Sequence, residues 1–318
     1  MNYGIPYMGS KSGIIESIAL NFPKADNFYD LFGGGFSVTH YMLLQNRYKS
    51  YHYNEIKSGI VTLVQDAITG KYNYNVFKPA WISREDFHRL KDTDPYIAVC
   101  WSFGNDQRSY MFSSEIELYK KSMHNVVVFD DFDELSSEVL GFNKWVPTCK
   151  TIKQKRLFLM QKLEWYASNK KIPKILYQFL ALKNIGIKDN VKQLQRLERL
   201  QQLQQLERLQ QLQQLERLQQ LQQLVFYSKD YREIEILSNS IVYCDIPYKN
   251  TNDYGNGFNH TDFFNWAASR KFPVFISEYH IADKRFKLIY EIDKRSKLSS
   301  NKEKTLIKQE RLYWNGIT

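Results

Sequence analysis

Asp245 closes a short apolar run, IVYCD, and Ile246, Pro247 and Tyr248 follow at once. Ile, Val, Tyr and Cys in succession read as a buried strand. The residue before a proline is held in extended backbone, so the strand leaves with its carbonyls turned outward. A carboxylate, an exposed carbonyl and an aromatic face side by side can hold a planar ring that carries an amine. The same tetrapeptide also makes an ordinary strand-to-turn junction, and four residues alone do not separate the two readings.

Three stretches upstream carry further polar chemistry. Tyr7 to Lys11, YMGSK, is a loop of small residues between an aromatic and a lysine, ahead of the helical spacing of SGIIESIALNF. In NFYDLFGGGFS, Phe28 to Leu31 read as a strand that runs through Phe32 into Gly33, Gly34 and Gly35 and then an apolar helix. Glycines permit positive φ and close backbone approach, and a helix N-terminus presents free N–H groups, so the turn suits a cofactor. It equally suits a tight β-to-α turn with no ligand. Ser50 to Tyr53 form a second strand ending at Asn54-Glu55, and in doubly wound sheets an acidic residue about 20 positions beyond the glycine turn receives ribose hydroxyls. The middle stretch CWSFGNDQRSYMF gathers glycine, amides, arginine and aromatics, side chains that read base edges or wedge between bases, or else form a surface loop with buried flanks.

The elements that must position these groups alternate. Strand and helix patterns follow one another through the first and last thirds, with VFYSKDYREIEIL, SNSIVYCDIPY, PVFISEY and TLIKQERLYWNG as further strands and a helix capped by Thr261 or Asp262. That order predicts an α/β fold with a Rossmann-like, mainly parallel sheet, formed by residues 1–72 and 225–318. Residues 73–190 are an aromatic-rich, mainly helical insertion with a basic tract at Lys150, Lys153, Lys155 and Arg156. NTNDYGNGFNH, beyond Tyr248, has the glycine and asparagine content of an active-site loop.

Residues 191–224 stand apart. Leucine occupies every third position from Leu194 to Leu224, and LERLQQLQQ begins unchanged at Leu197, Leu206 and Leu215. A period of 3 advances about 300° per leucine on an α-helix, so no single stripe results, and it is not the 3.5 period of a coiled coil. An α-helical insertion, a stacked solenoid turn and disorder are all open, as are a spacer role and none.

The 318 residues suffice for a full core, and 43% hydrophobic with 15% aromatic content excludes a disordered chain. A net charge of +10 suits a polyanionic partner and also many ordinary basic proteins. Cys100, Cys149 and Cys244 are widely spaced, without CxxC or a neighbouring histidine cluster, which points away from disulfides and zinc and toward a reducing cytoplasm. The N-terminus shows no secretory pattern and no run approaches about 20 apolar residues, so a soluble cytoplasmic protein is expected. GGGFS is neither a dinucleotide fingerprint nor a P-loop.

In this order the elements resemble the Dam-type DNA adenine-N6 methyltransferases of the D12 class, particularly phage-encoded ones: YMGSK, then DLFGGG, then a target-reading segment, then Asp245 to Tyr248 where the family has Asp-Pro-Pro-Tyr. The resemblance covers residues 3 to 125 and 225 to 316. It implies methyl transfer from S-adenosylmethionine to a flipped adenine in double-stranded DNA, with GATC as the site, by a monomer needing neither metal nor membrane, in a bacterial or phage-infected cell. It assigns Tyr7, Lys11, Asp30, Phe32, Gly33, Gly35, Glu55 and Asp230 to the cofactor, and Asp245, Ile246, Pro247 and Tyr248 to catalysis. Asn105, Arg108 and Tyr110 become the DNA contacts. Ile246 departs from the family's first proline, at a position that contributes only its carbonyl. Cytosine-N4 transfer and a DNA-binding homologue without activity are the alternatives, and a restriction-modification, protective or regulatory role is left open.

Overall fold

A computed structural model describes residues 2–169, 171–179, 203–219, 223–248, 257–295 and 307–317. The chain divides into two compact units, Met1–Thr69 with Leu215–Thr318, and Gly70–Gln214. Among the described residues the α-helices are α1 (Ile15–Ala19), α2 (Ser37–Gln45), α3 (Ser58–Ile68), α4 (Arg84–Leu90), α5 (Pro95–Cys100), α6 (Ser114–Phe129), α7 (Glu134–Leu140), α8 (Ile152–Asn169), α9 (Gln204–Gln213) and α10 (His260–Ala268). Strands β1 (Asn27–Asp30), β2 (Ser50–Asn54), β3 (Leu224–Tyr227), β4 (Ser240–Asp245), β5 (Val274–Glu278), β6 (Lys287–Arg295) and β7 (Ile307–Trp314) form one sheet in the order β3-β2-β1-β4-β5-β7-β6. β1 to β5 pair in parallel, and β7 enters antiparallel between β5 and β6.

Because parallel strands are covered on both faces, β1 and β5 are buried at every position. Alternation sorts their side chains. Tyr29, Val242, Cys244, Val274, Ile276 and Tyr313 share one face with Phe263 and Ala267 of α10. On the other face Phe22 packs within 6 Å of Phe28, Tyr243 and Phe275. Register puts Asp30 beside Tyr243, Asp245 beside Ser277, and Ser277 beside Leu312, two residues from Glu310. Asp30, Asp245 and Glu310 therefore lie on the Phe22 face.

Several local expectations change. The strand expected to run through VFYSKDYREIEIL stops at Tyr227, because the Asp230 side chain accepts from Arg232 N and turns the chain into a 3₁₀ helix, Tyr231–Glu233. Asn259, rather than Thr261 or Asp262, caps α10 by accepting from Asp262 N. α1 ends at Ala19, short of the expected helix, and Asn21 Nδ2 donates back to the Ser17 carbonyl. β6, rich in charge, had no strand signal. The expected loop after Tyr248 lies outside the described residues between 249 and 256, as do residues 180–202 and 220–222 of and before the repeat.

The second unit is helical. Tyr119, Met123 and Val127 of α6, Val139 and Leu140 of α7, and Leu159 and Leu163 of α8 form its core with Leu203 and Leu206. Of the described part of the leucine repeat, residues 203–214 belong to this unit and 215–219 to the first. The period-3 pattern is accommodated by changing helix type. Over the ten residues of α9, Leu206, Leu209 and Leu212 drift around the axis yet all stay buried. The chain then tightens into a 3₁₀ helix, Gln214–Leu218, where three residues per turn stack Leu215 over Leu218.

Truncating a leucine of α9 should therefore act as core mutation. Leu209→Ala is expected to cost about 2–5 kcal/mol in urea unfolding, against less than about 0.5 kcal/mol for the exposed Gln214→Ala. Equal effects would mean that α9 is not part of the core.

Candidate active site

The N-terminal segment is held against the glycine turn by backbone contacts. Ile5 N donates to the Gly35 carbonyl at 2.8 Å, and Gly4 N donates to His40 Nδ1 at 2.9 Å. Gly4 has φ +72°, and a Cβ there would stand 2.1 Å from the Gly35 oxygen. Burial, with Arg217 nearby, holds the His40 imidazole down to about 4, so it remains a neutral acceptor. Lys11 N donates to Ser37 Oγ at the start of α2, which aims the lysine side chain at the C-terminal edge of the sheet.

There Lys11 meets Asp245, 234 positions away. Its Nζ lies 2.6 Å from Oδ1 and 2.7 Å from Oδ2, and 3.4 Å from Glu310 Oε1. The lysine is 4% exposed. Burial alone would push its ammonium down; the two carboxylates reverse this and hold it above its ordinary value. The ammonium also sits 4.8 Å from the Tyr248 ring centroid. Tyr248 donates its hydroxyl to Glu310, and its ring stands edge-on to Tyr279 at 4.5 Å. Ile246 is buried in the α10-side core, and His260 Nε2 lies 2.8 Å from the Pro247 carbonyl, which pins the tetrapeptide to α10.

At the glycine turn, Gly33 N donates to the Asn54 carbonyl and Phe36 N to the Gly33 carbonyl, both at 2.8 Å. Side chains at Gly33 and Gly35 would collide with Tyr53 and Tyr7, at 2.2 and 2.3 Å. These two glycines make room for the protein's own tyrosines, whereas Gly34 is required by its φ of +45°. Glu55 Oε2 accepts from Gly34 N and Oε1 from Lys57 N, both at 3.0 Å; burial raises its carboxyl against those two donors. Asn54 stitches the strand ends, donating to the Leu31 and Lys229 carbonyls and accepting from Lys229 N. Phe32 packs on Tyr231, Phe258 and Phe263. Asp230 is part-exposed and paired with Arg232, whose hydrogen bond holds its carboxyl low.

Asp30 is different. Its Oδ2 accepts from Thr39 Oγ1 at 2.8 Å, while its buried Oδ1 has no hydrogen-bond partner. Burial pushes this carboxyl up to about 7, against the Thr39 hydrogen bond, with the charges of Asp245 and Glu55 adding to the rise. An unpartnered buried acceptor beside two further carboxylates suits a cationic group, which is what the amino acid end of S-adenosylmethionine carries.

Asn105, Arg108 and Tyr110, expected from the resemblance to contact DNA, lie in the second unit. Ser102 and Tyr110 form an antiparallel bridge, and Phe103 N donates to the Ser109 carbonyl, closing a short hairpin. Its tip bends through positive φ at Gly104, Asn105 and Gln107. Arg108 is exposed, whereas Tyr110 is buried, donates to the Ile82 carbonyl at 2.7 Å and lies under the Arg84 guanidinium. Tyr110 shapes the hairpin base, and Phe103, 62% exposed, is the aromatic at its tip. Arg208 Nη1 donates to the carbonyls of Val99, Cys100 and Ser102, at 3.3, 3.0 and 2.5 Å, and so supports the hairpin from the repeat. Of the basic tract, Lys155 pairs with Asp130 and Arg156 with Glu207.

Glu310, His260, Phe103 and Arg208 were not anticipated as site residues. Phe103 falls within the stretch already singled out, but nothing in its neighbours marked it as the exposed ring. A cavity of about 530 Å³ lined by Ser240, Ile241, Pro273 and Trp314 opens at the opposite, N-terminal ends of β4 and β5, away from these groups. Among the described residues no group of three or more His, Cys, Asp or Glu could hold a metal ion, and no helix is long and apolar enough to cross a membrane.

A family model described as D12 class N6 adenine-specific DNA methyltransferase matches residues 7–311. No curated protein matches the chain. With that match over nearly its whole length, the chain belongs to the D12 class of N6 adenine-specific DNA methyltransferases, enzymes that place a methyl group on the exocyclic nitrogen of adenine in DNA.

Proposed function

We propose that the chain methylates adenine N6 in duplex DNA at a base swung out of the helix, with S-adenosylmethionine as methyl donor and GATC as the target that the sequence resemblance implies. The observation that carries this reading is the Lys11–Asp245 pair, which ties the N-terminal YMGSK element to the exit of β4. Asp30 lies on the same sheet face and within electrostatic reach of Asp245.

In this reading the extruded adenine stacks on Tyr248, and its amine gives one hydrogen to Asp245 and one to the Ile246 carbonyl. Both bonds draw the nitrogen lone pair out of conjugation and orient it for attack, so positioning and electrostatics supply the rate. Unstacking the base costs a few kcal/mol. When bound, S-adenosylmethionine supplies an electrophilic methyl group on a sulfonium. As the N–C bond forms and the S–C bond breaks, the amine sheds one proton, and Asp245 is the carboxylate placed to take it. Asp30 and Glu55, with Tyr7 and Phe32, would hold the donor; Asp230, at the lip, would face its base. In the second unit Asn105 and Arg108, with Phe103, would contact DNA.

Asp245→Ala is expected to lower label transfer from the methyl donor to duplex DNA by on the order of 10³-fold, while calorimetry still detects donor binding; a fully active variant would remove Asp245 from the chemistry. Sequencing with modification detection, after expression in a host lacking adenine methylation, should place N6-methyladenine within GATC.

Asp30 adds a pH dependence. The native carboxyl keeps a proton that the unfolded chain gives up, so its contribution to stability is full below the ordinary 3.8 and is lost as pH rises toward about 7. A cationic donor binds the ionised form, so its affinity should rise with pH through about 7 and binding should release a proton. Asp30→Asn should flatten that profile; an unchanged profile would show that Asp30 does not face the donor.

A further inference from the structure

Glu310 is almost wholly buried on β7, far in sequence from every motif described above, yet it touches two members of the site. Its Oε1 accepts from the Tyr248 hydroxyl and lies 3.4 Å from Lys11 Nζ. Asp245, on the same sheet face, holds that ammonium through both oxygens. Such an arrangement poses a problem for the proposed reaction. An adenine amine bonded to Asp245 competes with Lys11 for its oxygens, and a buried ammonium whose pairing is weakened is costly.

A second carboxylate within reach of the same Nζ removes that cost. We propose that Glu310 is a positioning residue of the methyl-transfer site: it keeps Lys11 paired in place while Asp245 turns to the amine, and it fixes the plane of the Tyr248 ring by holding its hydroxyl. This rests on the reading of Asp245 and Tyr248 given above. Two anchors hold the tyrosine in plane, the hydroxyl at one end and the edge-on contact with Tyr279 along the ring. The lysine is confined between two carboxylates and the ring face. Glu310 touches neither base nor methyl group in this scheme; it acts only through Lys11 and Tyr248.

Glu310→Gln keeps the shape and removes the charge. In steady-state transfer from labelled methyl donor to genomic DNA free of adenine methylation, its kcat should fall on the order of 10²-fold, with the KM for the donor and the thermal midpoint close to wild type. Combined with Tyr248→Phe, the two losses should be less than multiplicative, because Glu310→Gln weakens and Tyr248→Phe removes the same charge-assisted hydrogen bond. A wild-type kcat in Glu310→Gln overturns the proposal. So does a variant whose rate falls only together with its donor KM and thermal midpoint, as a purely structural role would give, or a fully multiplicative double variant. Wild-type protein that transfers no label to adenine overturns the reading of the site itself, and this inference with it.

Discussion

An ammonium taken out of water must be matched by carboxylates at hydrogen-bond distance, and Lys11 imposes that condition on the first unit. Meeting it requires three separate parts of the chain to arrive together: the N-terminal loop, the end of β4 and the last strand. The loop is seated by Gly4 and Ile5 against Gly35 and His40, and β4 is seated by its parallel neighbours β1 and β5. The order of the sheet follows the same logic, since the pairing of β7 with β5 sets Glu310 on the face of Asp245. The catalytic proposal and the placement of Tyr248 inherit their geometry from this buried pairing.

Strands β4 and β5 were legible in the sequence because strands covered on both faces are largely apolar, and β1 and β2 because of their paired aromatic residues. Asp30 and Asp245 could be located because each ends such a strand. The reason for the glycines was only half legible: positive φ governs Gly34, but packing against Tyr53 and Tyr7 governs Gly33 and Gly35, and that depends on residues elsewhere in the chain. Glu310 was not legible at all. It is one acidic residue in a lysine-rich tail, and only the register of β7 against β5 sets it on the face of Asp245. Tyr110, assigned to DNA by the family resemblance, is buried at the hairpin base with its hydroxyl donating to the Ile82 carbonyl.

The repeat shows how little local sequence decides when identical segments meet different surroundings. Arg208 and Arg217 occupy the same place in successive copies of LERLQQLQQ. One is spent on three backbone carbonyls beneath the hairpin; the other approaches His40, which supports the N-terminal loop. Period-3 leucine is a poor code for a long α-helix, and the chain avoids the conflict by keeping α9 short and finishing in 3₁₀ geometry.

Gln205 sets a limit on how this gene segment can change in length. It is the last residue of the first copy, fully buried, with its amide 3.2 Å from His124 Nδ1. Duplicating a copy upstream of Leu203 would leave the sequence from Leu203 onward as it is. Losing a copy would instead bring Arg196 to the place of Gln205 and drive a guanidinium into a buried site built for a neutral amide. Three copies are then the fewest that preserve this contact.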